Sequence, residues 1–218
     1  MSARTAERLL LWAIAMLLVA SVILAIGAPE FFVQTFAAED GPVETATALF
    51  LLAAGLVLTR RIRDLSGLGA ALTGVYALLF LFAAGEEISW GQRIFGWNST
   101  DFFATYNAQG ETNLHNLTVG GHRLARTLFG SGLTTVLLLY LVVFPILYSR
   151  IGWINRIAER LAVPVPGLRH AGLAVAASVI VAGIGVPRKW EVYELVFALL
   201  ATAIFIRPGN HSGRRRQR

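Results

Sequence analysis

Six apolar runs separated by short polar stretches set the pattern of the chain, near residues 9–28, 43–59, 67–88, 132–149, 168–186 and 191–206. A helix of roughly 18–20 apolar residues spans the hydrocarbon of a bilayer. Alternating segments of roughly ten residues, which a membrane β-barrel requires, are not visible. The pattern predicts an all-α, polytopic integral membrane protein with about six transmembrane helices. Residues 1–218 then form a single membrane domain. A partly helical extracytoplasmic or re-entrant segment is expected between the third and fourth helices.

Local signals refine the runs. Pro42 suits the first turn of the second helix. Pro145 falls inside the fourth run and predicts a kink. The fifth run is rich in Gly, Ala and Ser, which lets neighbouring helices approach closely. Between the fourth and fifth runs lies a basic connector, where Arg156, Glu159 and Arg160 fit a short amphipathic helix. The first run follows Arg4 and Arg8 and so looks like a signal peptide. Gly27-Ala28-Pro29 is a poor cleavage site, however, and the run is read as a retained helix. No internal repeat is visible.

Composition supports the membrane class. The chain is 56% hydrophobic and 15% charged, against about 25% charged in soluble domains. It has no cysteine, which removes disulfides, thiolate metal sites and a cysteine nucleophile. The net charge of +6 is explained by topology. With the N-terminus inside, the inner segments hold 14 and the outer segments 5 of the 19 Lys and Arg, as the positive-inside rule requires. Both termini are therefore expected in the cytoplasm, with the protein in the inner or plasma membrane. Residues 207–218 form a basic cytoplasmic tail that favours anionic lipid. No nucleic-acid partner is expected.

The acids divide the other way, with 3 inside and 10 outside of the 13. Orientation rules do not demand this bias, so something else gathers carboxylates at the outer face. Most polar chemistry lies in the segment 86–123, GEEISWGQRIFGWNSTDFFATYNAQGETNLHNLTVGGHR being residues 85–123. If the third helix continues through Trp90 towards Phe95, then Glu86, Trp90 and Arg93 share a face. If 111–123 is helical, Glu111, His115 and His122 share another, and a Glu–His pair at i, i+4 can bind a metal or work as acid and base. Asn107, Gln109, Asn113 and Asn116, with Gln92, bind a polar substrate or order a loop. Thr100 or Ser99 caps a short helix from Asp101. Glu44 opens the second helix. Glu191 and Glu194 open the sixth beside Arg188 and Lys189, where acids suit a helix N-terminus; Glu194 lies deeper and is a functional candidate.

The run GEEISWGQR resembles the double-glutamate motif of CAAX-type intramembrane proteases, in which two glutamates precede an arginine. Here five residues separate Glu87 from Arg93, and no Phe-x-x-x-His partner follows on a later run. No role is carried over from that family.

The expected function is an integral-membrane enzyme with a carboxylate/His site at the extracytoplasmic face. Hydrolysis or group transfer on a lipid or lipid-linked substrate fits best, making the protein a membrane-embedded hydrolase or transferase. The catalytic candidates are Glu86, Glu87, His115 and Arg93. The substrate-binding candidates are Gln92, Asn107, Gln109, Asn113, Asn116 and Arg188. A divalent metal (Zn, Mn or Fe) would draw on Glu87, Glu111, His115, Glu194 and Glu44, carboxylate and imidazole being its usual ligands. The alternatives are a non-catalytic membrane subunit docking a protein partner through 86–123, and a small ion-coupled transporter.

Overall fold

The computed structural model describes residues 1–114, 116–119, 122–123 and 131–212. The described chain is almost entirely helical. Its principal helices are α1 (Ala3–Gly27), α2 (Pro42–Ile62), α3 (Gly67–Glu87), α4 (Asp101–Tyr106), α5 (Gly132–Arg150), α6 (Gly152–Arg160), α7 (Leu168–Gly183) and α8 (Lys189–Ile206). A two-residue ladder, β1 (Thr118–Val119) with β2 (His122–Arg123), is the only sheet among the described residues.

Among the described residues four helices, α1, α2, α3 and α5, are long and apolar enough to cross a membrane. Helix α7 is apolar but shorter, at 16 residues. Helix α8 has 18 residues, and Lys189, Glu191 and Glu194 in its first turns interrupt its apolar run.

Helix α8 is nonetheless the centre of the bundle. Val192, Val196, Leu200 and Ile204 repeat every fourth residue and are fully buried, and the rest of the helix is apolar on nearly every face. A helix apolar all round belongs inside a bundle. It packs against α1, α2 and α7, where Ile14, Leu18, Ala54, Leu58, Ala174 and Ala177 join the same core. Thr202 donates its hydroxyl to the Phe50 carbonyl at 2.9 Å, a polar tie between α8 and α2. Between membrane helices such contact, rather than escape from water, supplies the packing energy. Small residues set the spacing: a Cβ on Gly55 would stand 2.7 Å from the Leu81 side chain, so α2 and α3 meet there without room to spare.

The expected kink in α5 takes the form of a π-turn, Leu139–Val143, just ahead of the buried Pro145. The wider turn accommodates a residue that lacks an N–H and whose ring crowds the preceding turn.

Charge organises one end of the bundle. Glu7 of α1 is fully buried. It pairs with Arg169 at the start of α7, accepts from Arg207 just after α8 at 2.9 Å, and faces His170 Nε2 at 3.4 Å. His170 Nδ1 accepts from the Gly167 N–H, so its proton sits on Nε2, towards Glu7. The N-terminus, the start of α7 and the end of α8 are thereby held together. The start of α2, the end of α3 and the start of α8 lie at the opposite end.

Candidate functional site

Helix α3 ends at Glu87. The backbone then takes three left-handed residues in succession, Ser89 (φ 47°), Trp90 (φ 56°) and Gly91 (φ 80°). Glycine adopts that region freely; serine and tryptophan hold it at about 1–3 kcal/mol each. The expected helix through Trp90 to Phe95 is therefore replaced by a sharp reversal and a separate turn, Gln92–Phe95. Glu86, Trp90 and Arg93 do not share a helix face.

The reversal places both strained side chains on carboxylates. The Trp90 indole N–H donates to Glu86 Oε1 at 2.8 Å. Its ring lies back on Gly85, where a Cβ would come within 2.9 Å of it, and meets Phe82 edge-on. The Ser89 hydroxyl donates to Glu111 Oε2 at 2.6 Å and accepts from Asn113 Nδ2 at 2.9 Å.

Residues 89–114 and 116–118 form a cap tied together by its own polar groups. Glu86 Oε2 accepts from the Leu114 N–H at 2.6 Å. Gln92 Oε1 accepts from the Thr112 N–H at 2.7 Å, and its Nε2 donates to Ser99. Asn107 Oδ1 accepts from the Gln109 and Glu111 N–H groups, and its Nδ2 donates to Asn113. Asn116 donates its amide to Gln109. Arg93 pairs with Glu111 on one side and with Asp40, in the loop before α2, on the other. It thus fastens the cap to the bundle. Glu111, Asn107, Asn113 and Ser89 are all buried, and each of these bonds answers a desolvated group.

Several expectations change on this geometry. Residues 111–114 are not helical, and Thr118–Val119 pair with His122–Arg123 as a ladder, so Glu111 and His122 do not share a helix face. Asn107 Oδ1 holds the backbone of 109–111 in a turn, which competes with a helix start. His115 lies outside the described residues. Glu111 is engaged by Arg93, Ser89 and Asn113. Among the described residues no three His, Asp or Glu side chains come together as a metal ligand set, so the structure does not bring Glu87, Glu111, Glu194 and Glu44 to one metal. Arg188 pairs with Glu39 at 3.3 Å. Thr100 stands at the N-cap of α4 but makes no capping bond. Ser99 instead donates to the Gly110 carbonyl.

What remains is a carboxylate group from three helices. Glu87, at the end of α3, lies in electrostatic range of Glu194 and Glu191 on α8, Glu44 on α2 and its neighbour Glu86. Among the described residues no donor bonds Glu87. Glu44 and Glu191 sit in the first turns of α2 and α8, where the helix dipole favours an acid, whereas Glu87 sits at the negative end of its own helix. Glu44 also accepts from the Asp40 N–H at 2.6 Å. Glu44, Glu87 and Glu191 are half-buried and Glu194 is open, so an incoming molecule can reach the group.

No family model, curated protein or solved structure matches the chain.

Proposed function

We propose that the protein is an integral-membrane enzyme that works at the extracytoplasmic face and hydrolyses, or transfers a group on, a lipid or lipid-linked substrate. In this reading α7 and α8 cross the membrane beside α1, α2, α3 and α5, giving six spans with both termini in the cytoplasm. The bias of Lys and Arg towards the inner segments supports that orientation. The buried Glu7 cluster, which draws the two ends of the chain together, is in keeping with an even number of crossings.

The observation that carries the proposal is that Glu87 lies within electrostatic range of Glu44, Glu191 and Glu194 from two other helices. A carboxylate at the negative end of a helix, among other acids and without a donor among the described residues, contributes nothing evident to folding. Its presence suits a group that must hold or pass a proton. The roles divide accordingly. Glu87 is the acid–base group, with Glu191 and Glu194 beside it. Glu86, Gln92, Arg93, Asn107, Glu111 and Asn113 build the adjoining cap. Arg188, held by Glu39, stands one turn before the α8 acids and is the cation best placed for an anionic headgroup. The acids lie at helix ends and not at mid-membrane, where carriers bind their cargo, so an enzyme is favoured over a transporter.

The test is turnover by the purified protein of a lipid panel containing carboxylic esters, amides and phosphodiesters. Glu87→Gln is expected to lose turnover while keeping the thermal midpoint of the wild type. Glu86→Gln is expected to lower the midpoint, because it weakens the bonds to Trp90 and Leu114. Full turnover by Glu87→Gln would sink the proposal.

A second reading is favoured by the aromatic rim of the cap. Phe95 and Trp97 stack at 5.6 Å, and both are exposed, as are Phe102 and Tyr106. Aromatic side chains are enriched where proteins dock. A membrane subunit that holds a partner through 86–123 would co-purify with it in stoichiometric amount and lose it on Trp97→Ala.

A further inference from the structure

An open groove of about 470 Å³ runs along α3, lined by Val75, Leu78, Leu79, Leu81, Phe82 and Trp90. Every lining residue is apolar apart from the Trp90 N–H, and that N–H is turned to Glu86. Val75, Leu78, Leu79 and Phe82 recur at the helical interval and are exposed, so the groove is continuous with the surface that hydrocarbon covers. Leu81 closes its back, held against Gly55 of α2. The strained reversal at Ser89–Gly91 folds the Trp90 ring over Gly85 and closes the upper end. One indole thus stands between the apolar groove and the Glu86 carboxylate.

We infer that this groove seats one hydrocarbon chain of a membrane lipid, with the polar end of that lipid directed past Trp90 towards Glu87. The inference rests on the enzyme reading and names the part of the substrate that enters from the side. The volume is within the range of small-ligand sites, about 300–1,000 Å³. Val75 to Phe82 covers two helical turns, about 10 Å, which suits the upper part of a single chain. A polar or charged ligand would find no partner along these walls. A peptide would strand its backbone N–H and C=O groups there. The occupant is therefore a plain hydrocarbon chain.

The experiment uses the full chain in phosphatidylethanolamine vesicles doped with a phosphatidylglycerol carrying a diazirine in one acyl chain. After irradiation, adducts are mapped by peptide mass spectrometry. Labelling is expected to concentrate several-fold on the Val75–Phe82 peptide and on Trp90, relative to the equally exposed Met16–Ile23 face of α1. Leu79→Trp, and separately Leu78→Trp, should fill the groove and bring its labelling down to the α1 level while the thermal midpoint holds. Equal labelling of the two faces in the wild type overturns the inference, as does undiminished labelling in both filled variants. Glu87→Gln separates the two proposals, since it leaves the groove intact. A labelled groove with turnover indifferent to Glu87→Gln supports the chain seat and sinks the enzyme reading. Turnover that depends on Glu87 without preferential labelling overturns the chain seat alone.

Discussion

Glu7 offers the sharpest quantitative test of how the bundle is held. Its side chain is 0% exposed and meets Arg169, Arg207 and His170. Glu7→Gln keeps the volume and removes the charge. Two guanidinium groups and an imidazole N–H then face an amide that can accept at one atom only. Removing one partner from a buried ion set costs about 3–5 kcal/mol, because the charge left behind has lost its compensation. Arg169 and Arg207 have side chains 42% and 31% exposed, so water relieves part of that cost. The expected loss is about 3 kcal/mol, the low end of the range. For a chain of this size each kcal/mol moves the midpoint by about 2–4 °C, so the midpoint should fall by about 6–12 °C.

The assay is thermal unfolding of the detergent-purified protein, run as a double-mutant cycle with Arg207→Gln. Arg207→Gln removes one of the two stranded charges in advance. Glu7→Gln should therefore cost at least about 1 kcal/mol less in that background than in the wild type. Equal losses in the two backgrounds would show that Glu7 does not act through Arg207, and the reasoning would fail. An unchanged midpoint for Glu7→Gln alone would refute it outright.

Other substitutions probe the cap and the helix contacts. Glu111→Gln weakens the hold of Arg93 and of Ser89, so backbone hydrogen exchange over residues 107–114 should quicken while α8 keeps its protection; unaltered exchange in the cap counts against the network. Gly55→Ala puts a Cβ 2.7 Å from the Leu81 side chain and 3.2 Å from its backbone nitrogen, which should separate α2 from α3 and cost about 1–3 kcal/mol in thermal unfolding. Gly85→Ala displaces the Trp90 ring and with it the bond to Glu86, so the midpoint should fall. Combined with Trp90→Phe it should fall little further, and a fully additive pair would show that the two do not act through one contact.

The six apolar runs were legible because helix length against bilayer thickness is a one-dimensional property. All six recur as helices, with bounds moved by a few residues. Depth in the bundle was not legible. The run 191–206 has acids at its start and no special composition, yet α8 is the most buried helix, because which helix stands in the middle depends on all the others. The Glu7 cluster was invisible for the same reason: Glu7 and Arg207 are 200 residues apart, and nothing local marks Glu7 as buried. The segment after Glu86 failed for a different cause. Its apolar and polar spacing fits a helix through Phe95. Ser89 and Trp90 adopt left-handed backbone against their own preference, and only tertiary bonds to Glu111 and Glu86 account for it.

The polar-rich segment 86–123 was singled out because it gathers acids, amides and aromatics, and abundance of polar groups looks like a site. Within the fold, most of those groups satisfy one another. A cap with so little regular structure must find partners for its backbone N–H and C=O groups, and it does so with Asn107, Gln92, Asn113 and Glu86. Side chains committed to such bonds are poorly placed to bond a substrate, since each would have to abandon a buried partner first. A residue free to act on a substrate is therefore one that stands without that duty, rather than one where polar groups are dense. Glu87 is such a residue: beside a fully engaged Glu86, at the wrong end of its helix dipole, facing three acids from two other helices. Two adjacent glutamates with the same chemistry are given opposite situations by one turn of backbone. That contrast makes Glu86→Gln the structural control for Glu87→Gln, and separates building the cap from working beside it.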